Sequence, residues 1–331
     1  MKRVFLTAVL AIVVVTALLL PAWSQRADRP RRVGVLFVGL SSDPATRPVL
    51  QALVDGLREH GWEDGRNVVL EVRYAGSDPA RFPELAAELD TLRVDVIVTA
   101  NAEAIKAAHH KAVKIPIVMA GASAPVGLGF IESLARPGGN ITGVVNQLET
   151  IGEKNLQLLK EISSGIERFG IMHSPENVSS LASFKVDLEQ TAPRLGLVAV
   201  PVPVSKPADL DEALATIVRE RVQALQVHPT PAIFAQRGRI AAFAIERRLP
   251  TVSPLNVMAR DGLLMSYGYD NRANWRRAAS HVDRIFKGAN PAELPVEQTD
   301  RFYFVINMKT ARAMGLDLPP ALVARADEVI E

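Results

Sequence analysis

The 331-residue sequence has no cysteine. This excludes disulfides, thiolate nucleophiles and cysteine-bound metal together. It also excludes the lipidated cysteine that would anchor an exported lipoprotein. Net charge is almost absent. With Lys2 and Arg3 of the N-terminal segment set aside, 36 basic residues face 36 acidic ones. Nothing suggests a nucleic-acid groove. Phosphate loops are missing too. The first apolar run leads into Gly39-Leu40-Ser41-Ser42, which lacks the glycine spacing of a dinucleotide fingerprint or a P-loop. There is no Gly-x-Ser-x-Gly elbow, and no paired-carboxylate motif for acid–base chemistry. His109-His110 are adjacent on a helical run, so their side chains diverge. They read as a solvated face rather than a metal site. No cofactor and no metal are expected, and low-complexity tracts and internal repeats are absent.

The N-terminus reads as an export signal. Lys2-Arg3 precede an apolar run over 4–20, and Pro21-Ala22-Trp23-Ser24 places small residues at −3 and −1 of a cleavage site. Residues 1–24 therefore read as a cleaved signal peptide of a periplasmic protein, not a lipoprotein. An uncleaved anchor is the other reading, because 17 apolar residues lie at the lower limit for spanning a bilayer.

Beyond a polar linker over 25–30, strand and helix patterns alternate. Strands are expected at 32–38, 67–74 and 94–99, with helices at 45–60, 81–91 and 102–112. Ser77 or Asp78 is placed to cap the second helix and Asn101 the third. The segment IVMAGASAPVGLGFIESLARPGGNITG, residues 117–143, organises this half. It begins as a buried strand, opens into a small-residue loop at 120–125, and restarts near Gly127 as a short helical run. It breaks at Arg136-Pro137-Gly138-Gly139-Asn140 and ends in a strand over 141–145. Gly121–Pro125 reads as cleft wall and Asn140–Gln147 as the approach to a hinge.

The pattern then starts again. Helices at 152–162, 178–195, 210–219 and 232–247 alternate with strands at 168–173, 197–204, 222–227 and 251–253, and a strand at 263–267 closes the half. A tail follows, with helices at 273–287, 309–314 and 319–326 and a strand at 302–306. The fold class is α/β: two doubly wound parallel-sheet lobes joined by a hinge, with a ligand cleft between them. Lobe 1 is expected to take 31–146 plus 269–293, and lobe 2 to take 147–268 plus 294–331.

Several segments together resemble the ABC-transporter substrate-binding protein family with the type I periplasmic binding fold. They are NVVLEVRYA at 67–75, PELAAEL at 83–89, VDVIV at 94–98, PVGLGFIESLARPGGNITG at 125–143, GLLMSY at 262–267, LPVEQ at 294–298 and FVINMKTARAMGLDLPPALVARADEVIE at 304–331. The resemblance implies two lobes joined by three crossings that close on a small-molecule ligand. It also implies delivery to an ABC permease in the inner membrane, by a protein expected to be monomeric. Characterised relatives include carriers of aromatic amino acids. Departures are visible at Ala100-Asn101-Ala102, where relatives usually have a Gly-Thr-Pro-like turn, at Ala124, usually Asp, and at Thr230, often Asp. The expected ligand is an amino acid or another small polar or aromatic metabolite, and with both acidic positions neutral a neutral or anionic one gains weight. A sensor protein signalling to a membrane receptor, or a secreted α/β enzyme, is the alternative.

Strand-end loops supply the candidate ligand residues. These are Ser41, Ser42, Asn101 and Ser123 from the first half, and Ser174, His228, Thr230, Ser253 and Asn256 from the second. His173 and His228 both end strands; each either points into the cleft or bonds to backbone. Asp270, where the chain changes lobes, either caps the helix that follows or pairs with a cationic ligand group. Gly268 is expected to supply unusual dihedrals at that crossing.

Overall fold

The computed structural model describes residues 29–331 except 77, 113, 147–150, 164 and 300. The expected signal segment, the candidate cap Ser77 and Gln147 lie outside the described residues. None of the described helices is long and apolar enough to cross a membrane.

The first lobe is built on β1 (Arg31–Phe37), β2 (Val68–Tyr74), β3 (Val96–Thr99), β4 (Ile117–Ser123) and β5 (Ile141–Asn146), with α1 (Thr46–Glu59), α2 (Phe82–Thr91) and α3 (Ala102–Lys111) between them. β1 shows why its sheet is covered on both faces. Val33, Val35 and Phe37 pack with α1, while Leu36 packs with α2 and α3 on the other side. Asp78 and Asn101 cap their helices by accepting from Ala80 N and Ala104 N.

The second lobe carries α4 (Ile151–Ile162), β6 (Arg168–His173), α5 (Val178–Val186), a π-turn over Asp187–Thr191, α6 (Ala192–Arg194), β7 (Val198–Pro203), α7 (Leu210–Arg219), β8 (Ala224–Val227), α8 (Pro231–Ala235), α9 (Arg237–Glu246), β9 (Thr251–Leu255), α10 (Asn256–Arg260) and β10 (Met265–Tyr269). The tail adds α11 (Asn271–Phe286), β11 (Glu297–Gln298), β12 (Tyr303–Asn307), α12 (Met308–Met314), α13 (Pro320–Val323) and β13 (Glu328–Ile330).

Among the described residues the two sheets run β11-β5-β4-β3-β1-β2 and β13-β12-β10-β9-β8-β6-β7. Pairing is parallel except between β10 and β12. The first five strands of each lobe share one doubly wound order. The direction of winding reverses between β1 and β3 in one lobe and between β6 and β8 in the other. Ligands collect at such switch points, beyond the carboxyl ends of the strands.

Six details differ from the sequence reading. Residues 125–129 form turns rather than a helical run, with Gly129 at φ +70° ending any helix. The helix expected over 178–195 is interrupted by the π-turn, and that over 232–247 breaks at Gln236. β9 runs to Leu255 and leads straight into α10, for which there was no expectation. Glu297–Gln298 pairs with β5, so the tail leaves the first sheet after 298 rather than at 294. Gly268 is needed for closeness rather than for a rare dihedral, since a Cβ there would stand 1.8 Å from Pro254 O.

α11 returns to the first lobe and lies on α1. Gly56 makes this possible, because a Cβ there would meet Arg276 O at 2.6 Å. A buried polar knot ties the crossings. Asn146 Nδ2 donates to Gly121 O (2.6 Å), Asn274 Nδ2 to Asn146 Oδ1 (2.8 Å), and Thr299 Oγ1 to Asn274 Oδ1 (2.9 Å). Asn146, Asn274 and Thr299 each stand beside a different crossing, so this knot fixes their common root.

Candidate functional site

Two adjoining cavities lie between the lobes, and both are lined by Pro229 and Tyr269. The larger holds about 360 Å³. The first lobe contributes the end of β1, the start of α1, Asn101 and Gly121; the second contributes Thr230, Phe234, Leu255 and Asn256. Its aromatic wall is Phe37 stacked on Trp275, with ring centroids 4.4 Å apart and planes 6° from parallel. Trp275 is buried, yet its Nε1 has no partner, and neither has Asn256 Nδ2. Buried donors of this kind are rare unless a partner is to come. The charges around this cavity are already matched. Arg260 makes a two-pronged contact with Glu328, Arg237 bonds Asp261, and Arg272 bonds Asp270.

The smaller cavity holds about 220 Å³ and has polar side chains from both lobes among its lining. Ser123, Ala124 and Asn146 come from the first lobe, and Asn155, Asp187, Gln226 and His228 from the second. Asp187 is 2% exposed and its Oδ2 accepts from Gln226 Nε2 (2.9 Å) and His228 Nε2 (3.0 Å). Gln226 Nε2 also lies 3.1 Å from His228 Nε2, so the three side chains form one buried cluster. Tyr269, between the cavities, has its phenol pushed up to about 12 by burial and stays a neutral donor at physiological pH.

The lobes also touch directly. Arg237 Nη2 reaches Asp43 Oδ1 at 2.8 Å, and Asn177 Nδ2 donates to Glu103 Oε1. Both contacts cross the cleft, so its walls are held close together.

The sequence candidates separate into three groups. Asn101, Thr230, Asn256 and Asp270 line the larger cavity, and Ser123 and His228 the smaller. Ser41, Ser42, Ser174 and Ser253 line neither. Ser41 and Ser42 are exposed on a turn closed by Asp43, which accepts from Ala45 N, and it is Pro44, Ala45 and Thr46 that reach the cavity. Ser253 is interior to β9 because that strand runs two residues further than its pattern indicated. The Ser174 amide is taken up by Ser180 Oγ, and Ser180 lines the smaller cavity instead. His173 is buried against Phe184, with its Nδ1 3.1 Å from Ile171 O, and burial pushes its pKa down. Phe37, Trp275, Asn155 and Asp187 were not among the candidates. Asp187 had one visible signal, a carboxylate three residues after Phe184 on the inward side of a helical run.

Asp270 accepts from Arg272 N at 2.9 Å and so caps α11. Asn and Asp cap about equally well. Asp270→Asn is therefore expected to keep the apo melting temperature and to change ligand affinity little. Titration calorimetry checks this; a loss of affinity of about tenfold or more, worth about 1.4 kcal/mol, would assign Asp270 to a cationic ligand group instead.

The family model described as "ABC transporter substrate binding protein" matches residues 33–330. The chain belongs to this family. The substrate-binding protein is 22% identical over 294 residues to a tyrosine-binding protein of Clostridioides difficile strain R20291, a match covering 88% of this chain and 84% of the relative. Its structure is similar to that of a conserved domain protein from Vibrio cholerae, with TM-score 0.83 and 25% identity over 91% of this chain and all of the other. It is similar in fold to a Streptococcus pneumoniae protein described as an ABC domain in complex with L-Trp, with TM-score 0.82 and 22% identity at the same coverage. The two-lobed α/β architecture and the role as the ligand-binding component of an ABC importer follow from family and fold together.

Proposed function

We propose that the protein captures a small molecule in the paired cavities and delivers it to an inner-membrane ABC permease without chemically changing it. The observation that carries the capture site is the unpartnered Trp275 Nε1 in the wall of a cavity built by both lobes. A ligand with an apolar or aromatic portion fits against Phe37, Trp275 and Phe234, and an acceptor on it would satisfy the buried donors. The tyrosine-binding relative and the L-Trp complex support an aromatic body. Capture is a hinge motion about the Asn146–Asn274–Thr299 knot, in which contacts to both lobes favour the closed state. The segment over 1–24 supports export to the periplasm, where the protein acts as a monomer with no cofactor.

Native mass spectrometry of the purified protein tests this reading. The expected result is a single small molecule bound one to one and released unaltered on unfolding. Recovery of a chemically converted product would overturn it.

A further inference from the structure

The smaller cavity has properties that an ordinary hydrophobic junction between lobes would not need. Asp187 is a buried carboxylate. Among the described residues no Lys or Arg lines the cavity with it, and its nearest partners are Gln226 Nε2 and His228 Nε2. A buried carboxylate with no guanidinium or ammonium group beside it is costly to keep charged. The backbone is shaped to hold it there. Asp187 opens the π-turn that interrupts the α5–α6 helix, and such insertions widen a helix and re-aim a side chain. Gly152, at the start of α4, permits the approach, because a Cβ there would lie 2.1 Å from Asp187 Oδ1.

Two further groups are left open. Asn155 is fully buried, and neither its Nδ2 nor its Oδ1 has a protein partner. Gln226 Oε1 is also unpartnered. Its amide nitrogen lies 2.9 Å from Asp187 Oδ2 and 3.1 Å from His228 Nε2. The compartment thus holds one carboxylate, with Gln226 Oε1 and both polar atoms of Asn155 left without partners. An alkylammonium group brings one positive charge and up to three donors.

We infer that the smaller cavity is a compartment for a protonated amine of the ligand, with Asp187 as its counter-ion. This rests on the cleft being the capture site. The ligand is then an organic cation or zwitterion. Its apolar body lies beside Trp275 and its ammonium end beyond Tyr269, at Asp187.

Calorimetric titration of matched probes tests this, using arylalkylamines such as tyramine, aliphatic amines and the N-acetyl form of each. Acetylation removes the charge and keeps the body. At least one amine should bind the wild type, and its N-acetyl form should bind at least ~30-fold more weakly. Asp187→Asn should lose the amine by a similar factor while its apo melting temperature holds. Gly152→Ala, which displaces the carboxylate without removing it, is a second route and should also weaken the amine. The inference is overturned if amines and their N-acetyl forms bind alike. It is equally overturned if Asp187→Asn melts lower yet binds the amine like the wild type, which would make Asp187 a structural partner of His228. Capture of only neutral or anionic compounds from a metabolite extract would sink the inference and leave the capture reading standing. Capture of nothing at all would remove both.

Discussion

Gly268→Ala is expected to be among the most damaging single-methyl additions in this chain. The new Cβ would fall 1.8 Å from Pro254 O, a backbone atom that cannot rotate away. β9 and β10 are paired on either side of this point, Ser266 with Ser253 and Tyr269 with Leu255, with an irregularity between. Relief requires the two strands to separate where they deliver Asn256, Tyr269 and Asp270 to the cleft. Overpacking of this kind costs about 3 kcal/mol or more. Melting should fall by several degrees, and ligand affinity should fall with it. Gly129→Ala is the control. Gly129 has φ +70° with no neighbour near the new Cβ, so only the dihedral penalty of about 1 kcal/mol applies. Thermal denaturation of the pair checks the contrast. Equal, small losses would show that Gly268 is not crowded.

Trp275→Ala should be similarly severe for a different reason. Trp275 is 2% exposed and heads the fully buried side chains by volume. Its removal leaves a void beneath α11 and frees Phe37 from its stack, a loss of about 3–5 kcal/mol. The same change removes one wall of the larger cavity. Trp275→Phe separates the two roles, because it retains a ring against Phe37 and deletes only Nε1–H and part of the volume. The phenylalanine variant should fold and bind about fivefold more weakly if Nε1 donates to the ligand, the worth of one hydrogen bond. Calorimetry on both variants decides it. Unaltered affinity in Trp275→Phe would take the indole N–H out of recognition.

Much of the fold was legible from periodicity. The apolar runs of β3 and β6, the helical spacing of α1 and α7, and the caps at Asp78 and Asn101 are local signals, and local chemistry produces them. What was hidden depends on the other lobe or on a deformation. β11 is two residues long and becomes a strand only because β5 offers an edge. α10 follows β9 with no polar break to announce it. The π-turn has no sequence signature of its own, and without it Asp187 would read as one more charge on an amphipathic helix. Neutral residues at Ala124 and Thr230 favoured a neutral or anionic ligand. The acidic group at Asp187 lies in the second lobe, far along the chain from either position. Ser41, Ser42 and Ser253 failed as cavity residues because strand ends and turn directions are set by pairing, at a precision the pattern does not carry.

Small-angle X-ray scattering of the protein with and without the small molecule identified by native mass spectrometry tests the central claim most directly. The radius of gyration should decrease on saturation and recover on dialysis, with the molecule recovered unchanged. Binding with no compaction, or consumption of the molecule during the measurement, would contradict capture by closure of the two lobes.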